Sequence, residues 1–171
     1  SDLPGPSAHL FPLTKINDGD QLCSIIFTKG GEDVILGTMN GMGIRFNEED
    51  ARPMGLVAAG VGGIKLRDGD VVIGACVASR RGEILVVSDH GRAKRMSPDE
   101  FPCQGRNGYG VITWKLHKDE IAIGMMKGLL THNGVLHFRE AASRLIRVTD
   151  APSCNRMQVG DQVIDVKKGD E

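Results

Sequence analysis

Aromatic residues are scarce in this sequence, which has five Phe, one Trp and one Tyr among 171 residues. Proteins that hold single-stranded nucleic acid without sequence preference stack successive bases on aromatic side chains. So few aromatic side chains argue against that mode of binding. Helical periodicity is also absent over any useful length of the chain.

Signals for metal binding and membrane insertion are missing as well. The four cysteines are far apart and form no C-x-x-C pair, which argues against a zinc site or a disulfide scaffold and fits a reducing cytosol. They are Cys23, Cys76, Cys103 and Cys154. The longest apolar stretch, residues 71–78, is far too short to cross a bilayer. We therefore expect no metal, no cofactor, no membrane partner and a cytoplasmic location, with residues 1–8 forming a linker.

The net charge of −1 conceals an uneven distribution. Residues 1–50 contain three Lys or Arg and eight Asp or Glu, whereas residues 80–118 contain eight Lys or Arg and four Asp or Glu. A polyanionic partner should therefore meet the middle of the chain. Ordinary scatter of surface charge explains the same numbers equally well, so this pattern alone does not decide the function.

Glycine is frequent, at 23 residues, and it recurs at a fixed interval. A shift of 50 positions aligns residues 31–74 with residues 81–124 without a gap and gives eight identities. The identities pair Gly41 with Gly91, Arg45 with Arg95, Gly55 with Gly105, Gly60-Val61 with Gly110-Val111, Lys65-Leu66 with Lys115-Leu116, and Gly74 with Gly124. Glycines that coincide at turns indicate repeated supersecondary units.

Each unit has the pattern of antiparallel β-structure. Asn40-Gly41 between apolar runs is the strongest short hairpin signal, because both central residues of such a turn need positive φ. We predict equivalent turns at Asn17-Asp18-Gly19, His90-Gly91 and Asn133-Gly134. Alternation around Lys65 and Lys115 predicts strands with the lysines facing water. The predicted strands are 34–38, 43–46, 61–66 and 71–77, then 84–88, 92–96, 111–116 and 121–126, then 129–131, 135–138, 145–148 and 162–166, with 10–15 and 22–27 ahead of them.

The predicted fold class is all-β, a propeller-like repeat of about three and a half four-stranded antiparallel blades. The boundaries that follow from the repeat are a half blade at 9–30, blades at 31–80 and 81–126, and a shortened blade at 127–168. An incomplete ring leaves strand edges to cover. We therefore expect a homodimer that completes a ring or a curved array with blunted edges.

Two neighbouring units carry motifs of a known family. The first contains Arg52-Pro53-Met54-Gly55, Gly60-Val61 and the sequence LRDGD at 66–70. The second contains VVSDHGRAKR at 86–95, EFP at 100–102 and QGRNGYG at 104–110. These residues resemble middle blades of the C-terminal β-pinwheel of the DNA gyrase A subunit, and the similarity covers roughly residues 10–166. Topoisomerase IV has a similar domain, and Arg52-Pro53-Met54-Gly55 favours gyrase.

The resemblance implies a partial β-pinwheel over residues 9–171 that binds and wraps duplex DNA without sequence specificity. It also implies two partners, an ATPase subunit and the remainder of a type IIA topoisomerase A subunit, which together supercoil DNA at the nucleoid using ATP. The family's essential wrapping loop is kept only in part, because Asn107 replaces a family glycine and Tyr109 a family lysine. The family's catalytic tyrosine lies in a winged-helix segment, so Tyr109 in a glycine-rich loop implies no catalysis by this chain.

Phosphate contacts need Lys, Arg or amide groups on a surface that follows the DNA. The densest such group in the sequence combines residues 92–95 with Gln104 and Arg106, although a plain solvated face explains it too. Arg45 and Arg95 are each followed by acidic residues, so local ion pairs are an equal alternative there. The candidate DNA-binding residues are Arg52, Lys65, Arg67, Arg92, Lys94, Arg95, Gln104, Arg106 and Lys115.

Two other function classes compete with DNA wrapping. A propeller that has lost DNA binding and docks a protein instead is favoured by the acidic first fifty residues and the incomplete loop. An independent enzyme finds no support, because the sequence offers no nucleophile with a base, no metal cluster and no phosphate-binding glycine loop.

Overall fold

The computed structural model describes residues 10–167, so the predicted linker at 1–8 and the end of the shortened blade lie outside the described residues. The described chain confirms the all-β prediction. Its ten strands are β1 Asp33–Thr38, β2 Met42–Asn47, β3 Val72–Val77, β4 Glu83–Ser88, β5 Arg92–Met96, β6 Val111–Ile112, β7 Ala122–Gly128, β8 Asn133–Leu136, β9 Arg144–Arg147 and β10 Asp161–Gln162.

The strands form two four-stranded antiparallel sheets, in the orders β3-β1-β2-β6 and β10-β5-β4-β7, and one two-stranded sheet, β8-β9. Each complete sheet therefore takes its outermost strand from the following repeat unit: β6 pairs with β2, and β10 pairs with β5. The blades consequently do not coincide with the predicted units 31–80 and 81–126. This strand exchange links each unit to its neighbour through backbone hydrogen bonds.

The 50-residue repeat extends to the helical turns between strands. Three 3-10 turns, Glu48–Asp50, Pro98–Glu100 and Val148–Asp150, follow β2, β5 and β9. The side chains of Asn47 and Ser97 cap the first two by accepting hydrogen bonds from the second backbone N–H of each turn. No helix among residues 10–167 is long and apolar enough to cross a membrane.

Of the four predicted turns, those at Asn40-Gly41, His90-Gly91 and Asn17-Asp18-Gly19 are present, and the one at Asn133-Gly134 is wrong. Gly41 and Gly91 adopt φ of 74° and 77°, and a Cβ on Gly91 would overlap the carbonyl oxygen of Ile164. Asn133 and Gly134 instead lie inside β8, and the turn before them is closed by a hydrogen bond from the backbone N–H of His132 to Leu129 O (2.9 Å). The Asn-Gly signal fails there because burial of Ile146, which pairs with Gly134, fixes that segment as a strand.

Several predicted strands are shorter than expected or absent. Residues 113–116 and 163–166 leave their sheets, because the N–H groups of Thr113 and Trp114 both donate to Gly41 O, and the N–H groups of residues 163 and 164 both donate to Gly91 O. Residues 61–66 make only an isolated bridge at Ile64. The segments 10–15, 22–27 and 129–131 form no strand. The turn predicted at Asn17-Asp18-Gly19 is nevertheless present.

The hydrophobic core lies between the blades rather than inside one. Successive residues of β4 alternate between two clusters: Ile84 and Val86 face the first blade, and Leu85 and Val87 face the third. A strand that is covered on both faces needs a continuous apolar run, which β4 has. Burial of each such side chain contributes about 1.5–3 kcal/mol, so the central blade anchors both neighbours.

Candidate nucleic-acid interface

The glycine-rich loop 104–110 lies against residues 62–67 of the preceding unit. The backbone N–H of Asn107 donates to Gly63 O (2.8 Å), and that of Lys65 donates to Gly108 O (2.8 Å). Ile64 and Gly108 form a parallel bridge between these hydrogen bonds. Candidate residues from two different units are thereby brought to one surface.

Tyr109 organises the cations at this surface. Its ring is exposed (49%), Lys65 Nζ lies 4.9 Å from the ring centroid, and the guanidinium carbon of Arg67 lies 6.0 Å from it. Among residues 10–167, neither Lys65 nor Arg67 forms an ion pair with a carboxylate. We call Lys65, Arg67, Arg106 and Tyr109 the Tyr109 cluster.

Arg106 fixes the loop to the preceding unit. Its Nε donates to Asp50 O (3.2 Å), and its Nη1 donates to Gly62 O. Gln104 is half-buried, and its backbone N–H donates to Arg45 O (2.8 Å). Two N–H groups of Arg106 are therefore bonded within the protein. The other N–H groups of its guanidinium remain for a phosphate contact.

Two further candidates are exposed near this surface or one repeat away from it. Arg52 lies two residues after Asp50, whose carbonyl accepts the hydrogen bond from Arg106. Lys115 is the repeat equivalent of Lys65, and its side chain is exposed in the adjacent unit. Neither makes an ion pair with another described residue.

The prediction that Lys94 contacts DNA is wrong for this structure, because its side chain is fully buried. Nζ donates to three backbone carbonyls of the next loop, those of Asn155 (3.2 Å), Arg156 (2.9 Å) and Gln158 (2.8 Å). Burial lowers the pKa of Lys94 to about 8, against the opposing effect of nearby acidic groups. The 50-residue repeat aligns Lys94 with Ile44, which is a core residue. That alignment indicates a buried position for Lys94.

Arg92 and Arg95 are also engaged within the protein rather than presented with the Tyr109 cluster. Arg92 Nη2 donates to Gly160 O (2.8 Å), and its Nε lies 3.7 Å from the buried carboxylate of Glu120. Arg95 pairs with Glu83 and donates through Nε to Ala151 O (2.9 Å). The positive charge of residues 80–118 is therefore partly internal.

Arg45 and Arg95 both form ion pairs, as one of the two hypotheses predicted. Their main partners are not the acidic residues that follow them in the sequence. Arg45 Nε contacts Asp33 at 2.8 Å, and its Nη1 lies 3.8 Å from Asp99. Partial burial raises the pKa of Asp33, but hydrogen bonds from Arg45 and Asn47 outweigh it and lower that pKa. The main partners, Asp33 and Glu83, lie on the strand next to each arginine, a pairing that depends on register.

Arg156 is a structural equivalent of Arg106 that sequence reasoning missed. Its Nη1 donates to Ile112 O (3.1 Å), 50 positions after the Gly62 carbonyl that Arg106 uses. Extending the repeat by one more unit would have found it. Among residues 10–167, no group of three or more His, Cys, Asp or Glu could hold a metal ion.

The chain matches the family described as "DNA gyrase C-terminal domain, beta-propeller" at residues 32–78 and 82–127, which is more than half of its length. Among curated proteins, it is 42% identical over 98 residues to the DNA gyrase A subunit of Staphylococcus epidermidis, covering 56% of this chain and 11% of that protein. It is 31% identical over 157 residues to the DNA gyrase A subunit of Aminobacterium colombiense, covering 91% of this chain and 19% of that protein.

A solved structure of the C-terminal domain of DNA topoisomerase IV has the same fold. The TM-score is 0.82 at 26% identity, and the match covers 90% of this chain and 48% of that one. This chain thus spans about half of a related domain and a small part of the curated relatives. By family match, identity and fold, the chain belongs to the DNA gyrase C-terminal β-propeller domain family.

Proposed function

We propose that this chain binds duplex DNA without sequence preference on the surface formed by the Tyr109 cluster, Arg52 and Lys115. In this proposal it bends the duplex as part of a gyrase-like type IIA topoisomerase A subunit. The remainder of that subunit, with an ATPase subunit, supplies strand passage and ATP hydrolysis at the nucleoid, and this chain has no catalytic step of its own.

The observation that carries the proposal is the state of Lys65 and Arg67. Both are exposed, both flank an exposed aromatic ring, and neither is neutralised by a described carboxylate. Phosphate contacts of this kind give affinity without reading the bases, because they release condensed counterions.

Bending adds a requirement for several contacts at once. Smooth bending of a 20–30 base-pair site by 40–90° costs of order 1–6 kcal/mol, which phosphate contacts must offset. Lys115 recurs one unit after Lys65, so the strand exchange between units presents similar cations on successive blades. A surface repeated in this way favours wrapping over binding at a single point.

The test combines affinity and bending on two duplexes of unrelated sequence. Fluorescence anisotropy should give equal affinities for both, and energy transfer between end labels should rise on binding. The double variant Lys65→Ala/Arg67→Ala should weaken binding to both duplexes alike by about tenfold or more at low salt. The matched control, Arg139→Ala/Arg147→Ala, removes two exposed charges from the third blade and should change affinity less than about twofold. Equal effects of the two double variants would contradict a binding surface at the Tyr109 cluster, and failure of the original chain to bind either duplex would favour the protein-docking hypothesis instead.

A further inference from the structure

The loop 154–160 docks onto the preceding unit differently from its repeat equivalent. In the earlier loop, Gly108 O accepts a hydrogen bond from the backbone N–H of Lys65 (2.8 Å). At the same repeat position, Gln158 O accepts a hydrogen bond from the Lys94 ammonium (2.8 Å). A charged side chain of the second unit therefore takes the place of a backbone donor.

The Lys94 ammonium lies among oxygen atoms of this one short loop. Nζ donates to the carbonyl oxygens of Asn155 (3.2 Å), Arg156 (2.9 Å) and Gln158 (2.8 Å), which we call the carbonyl cup. The centroid of the Trp114 ring lies 5.9 Å from Nζ. Carbonyl oxygens that converge on one point replace the hydration shell of a monovalent cation, and an aromatic face adds further attraction.

The loop holds the carbonyl cup in shape by hydrogen bonds of its own. Asn155 Oδ1 accepts from the backbone N–H groups of Met157 (2.9 Å) and Gln158 (3.2 Å). Gln158 Oε1 accepts in turn from the backbone N–H of Asn155 (2.7 Å). The direction of the three carbonyls is therefore set within the loop and does not depend on Lys94.

The loop is also attached to the second unit by contacts other than Lys94. The backbone N–H of Arg156 donates to Glu100 Oε2 (3.0 Å), and Trp114 Nε1 donates to Val159 O (2.7 Å). Shortening the Lys94 side chain therefore leaves the loop in place. The three carbonyl oxygens then face the space that the ammonium and its stem had filled.

The repeat shows that an apolar side chain fits at the position of Lys94. Ile44, its equivalent, is fully buried, and a Cβ added to Gly108 would lie 3.5 Å from Ile44 Cδ1. In that unit the side chain packs beneath the loop and the backbone bond from Lys65 closes the contact. Lys94→Met is therefore a suitable variant for filling the space without a charge.

We propose that the carbonyl cup is a site for a monovalent cation of the size of potassium, and that the Lys94 ammonium is its built-in occupant. The three ligands are uncharged, which suits a monovalent ion, whereas magnesium and calcium are bound mainly through carboxylates. The negative charge of Glu100 favours a cation at this position. The third unit thus docks with a tethered cation and needs no free one.

A chain with a shortened side chain at position 94 should bind a free cation in the cup. Ammonium and potassium ions are close in size to the lysine ammonium, whereas tetramethylammonium is too large and serves as the reference for ionic strength. Because the ion binds the folded state, the unfolding constant of Lys94→Ala should fall about tenfold at about ten times the dissociation constant of the ion.

Urea unfolding in the three chloride salts at equal concentration measures this effect. Lys94→Met is the matched control, and it should respond to the salts as the original chain does. Equal stability of Lys94→Ala in all three salts, relative to the original chain, overturns the proposal. Should Lys94→Ala be unfolded in tetramethylammonium chloride, recovery of its circular dichroism in ammonium or potassium chloride supports the cup, and no recovery overturns it.

Fluorescence of Trp114, the one tryptophan of the sequence, tests occupancy in the folded chain. Thallium(I) is similar to potassium in size, and as a heavy atom it quenches an indole that it contacts. Thallium(I) acetate should quench Lys94→Ala saturably, and potassium acetate should reverse the quenching. The original chain and Lys94→Met should show only weak quenching without saturation. Quenching of Lys94→Ala no stronger than that of Lys94→Met overturns the site.

Discussion

Lys65 Nζ lies 4.9 Å from the centroid of the Tyr109 ring, across the boundary between two repeat units. The contact exists because Lys65 donates its backbone N–H to Gly108 O in the neighbouring loop. Tyr109 stands where the family has a lysine. Its ring nevertheless holds two cations of the preceding unit, Lys65 and Arg67, at the same place. The basic character of the loop is therefore contributed jointly by two blades.

Replacing Tyr109→Ala should weaken DNA binding, whereas Tyr109→Phe should leave it nearly unchanged. A cation–π contact at an exposed site is worth about 0.5–1 kcal/mol, so affinity should fall roughly two- to fivefold when the ring is lost. Phenylalanine keeps the ring and loses only the hydroxyl. Anisotropy titrations on one random duplex check this, and equal losses in both variants would show that the hydroxyl, not the ring, matters.

Lys94→Met should destabilise the fold without weakening DNA binding. The ammonium satisfies three backbone carbonyls of residues 155–158, and a buried group left without a partner costs about 1–3 kcal/mol. Urea unfolding should show a loss of several kcal/mol at neutral pH. DNA affinity measured well below the unfolding midpoint should match that of the original chain, and a loss of affinity there would return Lys94 to the binding surface.

The same residue gives a pH dependence with a definite sign. Burial lowers the pKa of Lys94 from its usual 10.5 to about 8 in the folded chain. Between these values the unfolded chain binds the proton and the folded chain does not, so stability rises with pH through that window. The free energy of unfolding of the original chain, relative to Lys94→Met, should be higher at pH 9.5 than at pH 7.5. A difference that is constant or falls would contradict the lowered pKa.

The pair of Arg92 and Glu120 should show strong coupling. The Glu120 side chain is completely buried and its Oε1 lies 3.7 Å from Arg92 Nε. Removing one member of a buried pair costs about 3–5 kcal/mol, because the other charge is left uncompensated. Arg92→Ala should therefore be much less stable than Arg92→Ala/Glu120→Gln. A double-mutant cycle in urea checks this, and additive effects would mean that the two groups act independently.

The 50-residue repeat is the most informative feature of the sequence. It predicts the strands within each unit but not how neighbouring units pair. The strands near Asn40-Gly41 and His90-Gly91 follow from local signals, because turn chemistry and apolar alternation agree there. Exchange of outer strands between units could not be predicted, since residues 61–66 and 111–116 alternate equally well whichever sheet receives them. The prediction for Lys94 was wrong for another reason: lysines are normally exposed, whereas this one occupies the repeat position of Ile44, a core residue.

The site was predicted in part for the same reason. Lys65, Arg67, Arg106 and Lys115 stand at loop or strand-end positions where exposure follows from the pattern. Arg92 and Arg95 look equally basic in sequence, but their partners lie elsewhere in the chain, Glu120 in the turn before β7 and Glu83 in β4, and become visible only in the folded structure.

The salt dependence of DNA binding tests the central claim most directly. Each phosphate contact contributes about −0.9 to the slope of log affinity against log salt concentration. For random duplex DNA, Lys65→Ala/Arg67→Ala should flatten that slope by about 1.8 relative to the original chain, since two contacts are lost. Lys94→Met, which removes an equally positive but buried side chain, should leave the slope unchanged. An unchanged slope in the double variant, or an equal flattening by Lys94→Met, would contradict a DNA-binding surface at the Tyr109 cluster.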